Sequence, residues 1–537
     1  MANTLPDSNE ATATASEEVY GEAPYPGSKQ MPQWEVAELV EAPRFTISRW
    51  PFLLGPGLVM GASAIGGGEW LTGPLVTAKY GGALLWLSTL SILGQTLYNI
   101  EISRYTLYSG EPIFTGKFRT LPGPMFWLML YIVLDLGSFL PYLASNAAIP
   151  AAAVLLRRLP DPAVDYFLLK GLACGIFLLA LVPLVIGGKI FTSLKIVMSF
   201  KLIFVFGFLM FLAIFYSTAD TWAEIVSGFF QFGTVPVQSG DGSPQTANVF
   251  TTFLSGETLP ALDLSMIGIL AAMAAISGNG GLTNTPISNY TRDQGWGMGR
   301  QVGAIPSIIG GHAIELSHVG KVFLISPQTL ERWRGWVRHV QREQLAVWMP
   351  ACFLGIALPS MLSVQFLTRG SAPQDKWQAA GMTAQGVADA VGPTWGDTFW
   401  YLTLFCGFLV LGTSTISTAD GVLRRWVDVF WTASPQLQKW DTRHIGKFYF
   451  CVLLIYAAFG LVMLTLVKGD RLLVWSTNFY NYALGFSCWH TVAINSFLLP
   501  QELRPSILRR LLLIAAGLFF IIIAILTTMD SLGAFKA

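Results

Sequence analysis

Eleven stretches of this chain are each long and apolar enough to cross a lipid bilayer, and that fact removes most folds from consideration. They cover residues 52–79, 83–107, 123–154, 166–187, 191–217, 262–290, 345–366, 397–422, 447–467, 472–498 and 510–529. Each approaches or exceeds the ~20 residues that a helix needs to span the hydrocarbon core. Composition agrees: 53% of residues are hydrophobic and only 12% are charged, about half the charged share of a soluble domain. The fold class is therefore an all-α polytopic membrane protein. The five cysteines lie in or beside apolar stretches without paired spacing, which excludes a disulfide frame or a zinc site.

Two of the eleven segments are interrupted. The first carries Gly66, Gly67 and Gly68 followed by Glu69, in "AIGGGEWLTGP"; the sixth reads "AAISGNGGLTNTP", with Gly278, Gly280 and Gly281 around Asn279. They occupy the same position in two successive groups of five, which is the sequence pointer to an inverted-repeat secondary transporter. Unwound backbone at membrane depth persists only where it lines a cavity or is buried in protein. Close helix packing through small residues is the competing explanation.

Charge inside a span is costly and marks function by default. Glu69 follows the first break, where its carboxylate and the freed carbonyls form the ligand set of a hard or borderline cation. It can also cap the second half-helix through the helix dipole. Asn279 can ligate a cation or satisfy freed backbone groups. Asp135, in "YIVLDLGSFLPY", reads as a proton-coupling carboxylate beside Glu69, or as the partner of a basic residue such as Arg104, Lys195 or Lys201. Glu101 and Arg104 read as a structural pair. The eighth segment holds the hydroxyl-rich "LGTSTISTADG", and the tenth holds Asn478, Asn481 and His490. The chain has no GxxxxGK[ST], HExxH or GxSxG motif in a fitting context, so neither ATP-driven pumping nor enzyme activity is expected.

Lys and Arg cluster in the loops after segments six and eight, from Arg292 to Arg342 and from Arg424 to Lys447, while residues 218–260 contain none. The bias places the N-terminus in the cytoplasm and the C-terminus outside. It also explains the basic residues without any nucleic-acid partner. The expected organisation is a disordered cytoplasmic tail (1–45), a first five-helix repeat (46–217), an extracellular loop (218–260), a second repeat (261–500) with a long cytoplasmic loop at 292–344, and an eleventh helix with the C-terminus (501–537). Residues 327–343, rich in Arg and Trp, read as an interfacial amphipathic helix.

The first segment, "GPGLVMGASAIGGGEW", resembles the Nramp family of proton-coupled divalent-metal transporters. That family's first helix reads GPG, eight residues, then DPGN, often followed by Trp. The stretches "GTSTISTADG" and "LLVWSTNFYNYALGF" are similar to its helices 8 and 10, so the resemblance covers about residues 50–500. It implies a LeuT-type fold with two inverted five-helix repeats plus an eleventh helix, a central metal site and proton coupling. In that comparison Gly66 and Glu69 take the places of the DPGN Asp and Asn. Gly278, Asn279 and Gly280 take those of the family's helix 6 Met, Pro and His, and Ala275 that of a carbonyl ligand. Loss of the thioether favours a harder ion; the Nramp-related magnesium transporters also lack it. The expectation is a secondary transporter of Mg²⁺ or Mn²⁺ in the cell membrane, with no resident cofactor, and with Gly66, Glu69, Ala275, Gly278, Asn279 and Asn481 about the substrate. The alternative is the same fold carrying a small organic solute such as an amino acid or amine.

Overall fold

The computed structural model describes residues 22–44, 55–185, 190–305, 315–371, 373 and 375–534. Within the first predicted segment, α1 (Pro56–Ala64) ends one residue before the glycines. The chain then resumes as a π-helical turn (Gly68–Thr72) leading into α2 (Gly73–Tyr80). The second segment is α3 (Trp86–Ser109), and the third divides into α4 (Pro124–Leu134) and α5 (Tyr142–Leu156) around Asp135 and Pro141. α6 (Tyr166–Leu181) and α7 (Ile190–Phe215) complete the first group of five. The sixth segment is again split, into α8 (Ile267–Ile276) and α9 (Pro286–Asp293). There follow α10 (Pro327–Glu343), which runs on into α11 (Met349–Phe366), then α12 (Gly396–Ala433), α13 (Ile445–Leu466), α14 (Gly469–Phe497) and α15 (Ile507–Ser531).

Seven helices among the described residues are long and apolar enough to cross a membrane. The other four of the eleven segments fall short for physical reasons. The first and sixth are broken. α3 and α14 carry buried polar groups, including Gln95, Asn99, Glu101 and Arg104 on one and Asn481, His490 and Asn495 on the other. These side chains bond inside the bundle: Arg104 Nε donates to Glu101 Oε2 at 2.8 Å, and His490 is bonded to Thr120 and Tyr131, both at 2.7 Å. The amide nitrogens of Asn99, Asn481 and Asn495 donate, while their oxygens are left without a partner among the described residues. The lipid-facing helices instead expose Ile and Leu, as along α15.

The segment 218–260 holds a two-stranded antiparallel hairpin, β2 (Thr234–Val237) with β3 (Gln245–Asn248). The expectation of disorder through residue 45 is corrected for residues 22–44; residues 1–21 lie outside the described residues. Here β1 (Glu35–Val36) pairs in parallel with β4 (Lys321–Val322), and Met31, Trp34 and Leu39 are buried. Trp34 lies edge-on to Tyr108, under the guanidinium of Arg119. Arg119 also donates to Pro32 O at 2.7 Å, and Trp336 Nε1 of α10 donates to Val40 O at 2.8 Å. Three apolar anchors suffice to fix a segment whose overall composition is polar. Trp336 and Trp333 of α10 are buried, the latter under the guanidinium of Arg104, so one face of that helix packs on protein.

Candidate functional site

The two breaks meet at the centre of the bundle. Gly68 lies against the backbone of Ile276, where a Cβ would stand 2.0 Å from the carbonyl oxygen. Gly280 has φ +75° and would bring a Cβ within 2.3 Å of Ala275 O. Close approach and unwinding therefore coexist: the glycines allow the two unwound stretches to touch.

Glu69 joins them. Its carboxylate is fully buried; Oε2 accepts from Gly66 N at 3.0 Å and Oε1 accepts from Gly278 N, also at 3.0 Å. One side chain thus takes a freed backbone donor from each break. The sixth-segment break is held from the other side by Gln95 of α3. Its Oε1 accepts from Asn279 N, Gly280 N and Asn284 Nδ2 at 3.1, 3.0 and 2.8 Å, and its Nε2 donates to Ser277 O at 3.0 Å.

Beside these contacts lies a cavity of about 20 Å³, room for a water or a bare ion. Gly66, Gly67, Gly278 and Asn279 line it, with Met60, Ser63, Thr283, Ser414, Ser417, Tyr142 and Tyr480 among their neighbours. The lining is mainly hydroxyl, amide and backbone, with one thioether from Met60. Asn279 Oδ1 accepts from Trp348 Nε1 at 3.0 Å. Of the sequence-derived set, Ala275, Asn481 and Glu69 are absent from the lining. Asn481 Nδ2 donates to Ala271 O at 3.1 Å, and Glu69 sits behind the cavity wall with its oxygens on N–H groups. No cluster of three His, Cys, Asp or Glu able to hold a metal occurs among the described residues.

Sequence reasoning missed Gln95, Met60, Tyr142 and the role of Lys201. Lys201, on α7, is buried and donates to Ala62 O, Ile65 O and Ser414 Oγ at 2.7, 2.5 and 2.6 Å. It is not the partner of Asp135. That carboxylate forms a bidentate pair with Arg425 of α12, at 2.7 Å to both Nε and Nη2, and accepts from Trp426 Nε1 at 2.8 Å. Further along α12, Arg424 bonds Asp420 at 2.5 Å and Asp293 of α9, while Arg292 bonds Asp428 at 2.6 Å. Arg292, Arg424 and Arg425 are therefore buried counter-ions rather than surface anchors.

No protein-family model and no curated protein matches this sequence. Solved structures do match by shape. A mutant of the manganese transporter of Eremococcus coleocola aligns over 95% of this chain and 92% of its own, at 14% identity and a TM-score of 0.59. The same transporter in complex with an aromatic bis-isothiourea substituted compound aligns over the same shares at a TM-score of 0.57. The likeness establishes the fold: this is a multi-pass membrane protein of the LeuT type, with its first and sixth helices discontinuous.

Proposed function

We propose that the chain is a secondary active transporter of divalent cations, moving Mg²⁺ or Mn²⁺ across the cell membrane through the site between the two breaks. The observation that carries this reading is Glu69, a carboxylate bridging both unwound stretches beside a cavity lined by oxygens. Backbone carbonyls, Asn279 and the hydroxyls supply hard donors, while Met60 supplies a single soft one. Glu69 takes up the cation when its carboxylate leaves the N–H groups, and that exchange links ion binding to the relative position of the two half-helices. Glu69 and Asp135 are the candidate carriers of a coupled proton. The N-terminus lies in the cytoplasm and the C-terminus outside. The fold it shares with manganese transporters and the Nramp-like first segment support the cargo.

One observation favours a second reading, an organic solute such as an amino acid or amine. The ammonium of Lys201 is bonded to Ser414, a lining residue, and repels a divalent ion while attracting a carboxylate. Uptake into proteoliposomes decides between them, with Mg²⁺ and Mn²⁺ offered to wild type and Glu69→Gln in the presence of an internal pH dye. Metal uptake that Glu69→Gln abolishes, in protein that still folds, is expected. Undiminished uptake by the variant removes Glu69 from the site. No metal uptake by well-folded wild type transfers the assignment to the organic solute.

A further inference from the structure

The break in the first segment is stabilised by two opposite charges acting on one missing hydrogen bond. In an unbroken helix Gly66 N would donate to Ala62 O. Here the donor goes to Glu69 Oε2 and the acceptor to Lys201 Nζ. Lys201 also takes Ile65 O, whose peptide unit continues to that same Gly66 N–H. The peptide between Ile65 and Gly66 therefore sits between an ammonium on its oxygen and a carboxylate on its nitrogen.

The ammonium has two carbonyls and the Ser414 hydroxyl around it, which satisfies all three of its donors. It faces the C-terminal end of α1, the negative end of that helix's dipole. Freed carbonyls, a neighbouring hydroxyl and a negative helix end are the surroundings of a bound cation. We propose that Lys201 is a tethered cation: its ammonium fills a monovalent-ion position between α1 and α12, so the break is held without a second, diffusible ion. This rests on reading the two breaks as the transport site. The tether keeps the position filled whatever the ionic composition of the medium. Lys201 acts through the backbone and Ser414 as a positioning residue, and no monovalent metal ion has to be exchanged with solution at this position.

The test is thermal unfolding of the purified protein, free of divalent ions, in sodium, methylammonium or choline chloride. Wild type is expected to melt at one temperature in all three. Lys201→Ala is expected to be less stable in choline, which is too bulky to enter. In sodium or methylammonium it should regain about 2–4 °C, as a bound ion would supply. A merely structural lysine gives no such ion-selective recovery. Lys201→Met, which keeps the bulk of the stem, blocks the vacated position and should not recover. Stabilisation of wild type by sodium overturns the proposal, as does equal melting of Lys201→Ala in all three salts. Failure of that variant to fold in every salt overturns it too, because no ion would then have refilled the position. Since no divalent ion is present, each of these results leaves the divalent-cargo reading standing. Absent metal uptake, in turn, leaves this one untouched.

Discussion

The Asp135–Arg425 pair offers a sharp test of how this bundle tolerates charge. Both side chains have no solvent exposure. Asp135 accepts three hydrogen bonds, two from Arg425 and one from Trp426, and Arg425 also donates to Leu282 O at 3.2 Å, beside the sixth-segment break. Removing one partner leaves the other charged, buried and unpaired, a loss of about 3–5 kcal/mol. Asp135→Leu and Arg425→Met should each destabilise by that amount. The double variant removes both charges and leaves only the Trp426 indole without a partner, costing about 1–3 kcal/mol, because the Leu282 carbonyl still accepts from Thr285 N and Oγ1 at 2.9 and 2.7 Å. It should therefore lose several kcal/mol less than the sum of the single losses. Unfolding in mixed detergent, followed by tryptophan fluorescence, measures all three. Additive losses, or single losses under about 1 kcal/mol, refute the argument. The same double variant judges Asp135 as a proton carrier. Regained stability with proton-coupled uptake intact makes the pair structural; regained stability with uncoupled uptake gives Asp135 a role in coupling.

Gly68→Ala forces the first and sixth segments apart, because the new methyl meets a backbone carbonyl that cannot rotate away. A loss of at least about 1–3 kcal/mol is expected, together with loss of transport. Gly171→Ala, where a Cβ meets nothing within 4 Å, should be neutral in the same melting assay. In the N-terminal segment, Trp34→Ala removes the anchor between Tyr108 and Arg119. Tryptic cleavage at exposed Lys29 should accelerate about tenfold or more, as an opening free energy lowered by 1.4 kcal/mol or more requires; an unchanged rate means the segment is held elsewhere.

What the sequence discloses here depends on how local the signal is. A run of apolar residues and a glycine cluster inside it are properties of adjacent positions, so the helical segments and the two interruptions can be read directly. The partners of those interruptions cannot. Gln95 looks like one more polar residue on a helix, and Lys201 like one more buried base, until folding brings α3 and α7 against backbone groups more than a hundred residues away. Asp135 shows the same limit. Its partner belongs to a stretch whose arginines resemble an inside-facing charge cluster, because nothing local reveals that α12 continues as a buried helix to Ala433. In the N-terminal segment, composition averages over 45 residues and hides three anchors. The family resemblance supplies positions but not geometry. It aligns Glu69 with a ligand, whereas the carboxylate is aimed at two backbone donors and stands behind the cavity wall. The physics that makes Glu69 visible, a charge where charge is expensive, also requires that something neutralise it. In this conformation the N–H groups of both breaks and the ammonium across the Ile65–Gly66 peptide do so. A transported cation has to compete with them, and that competition couples its arrival to movement of the half-helices.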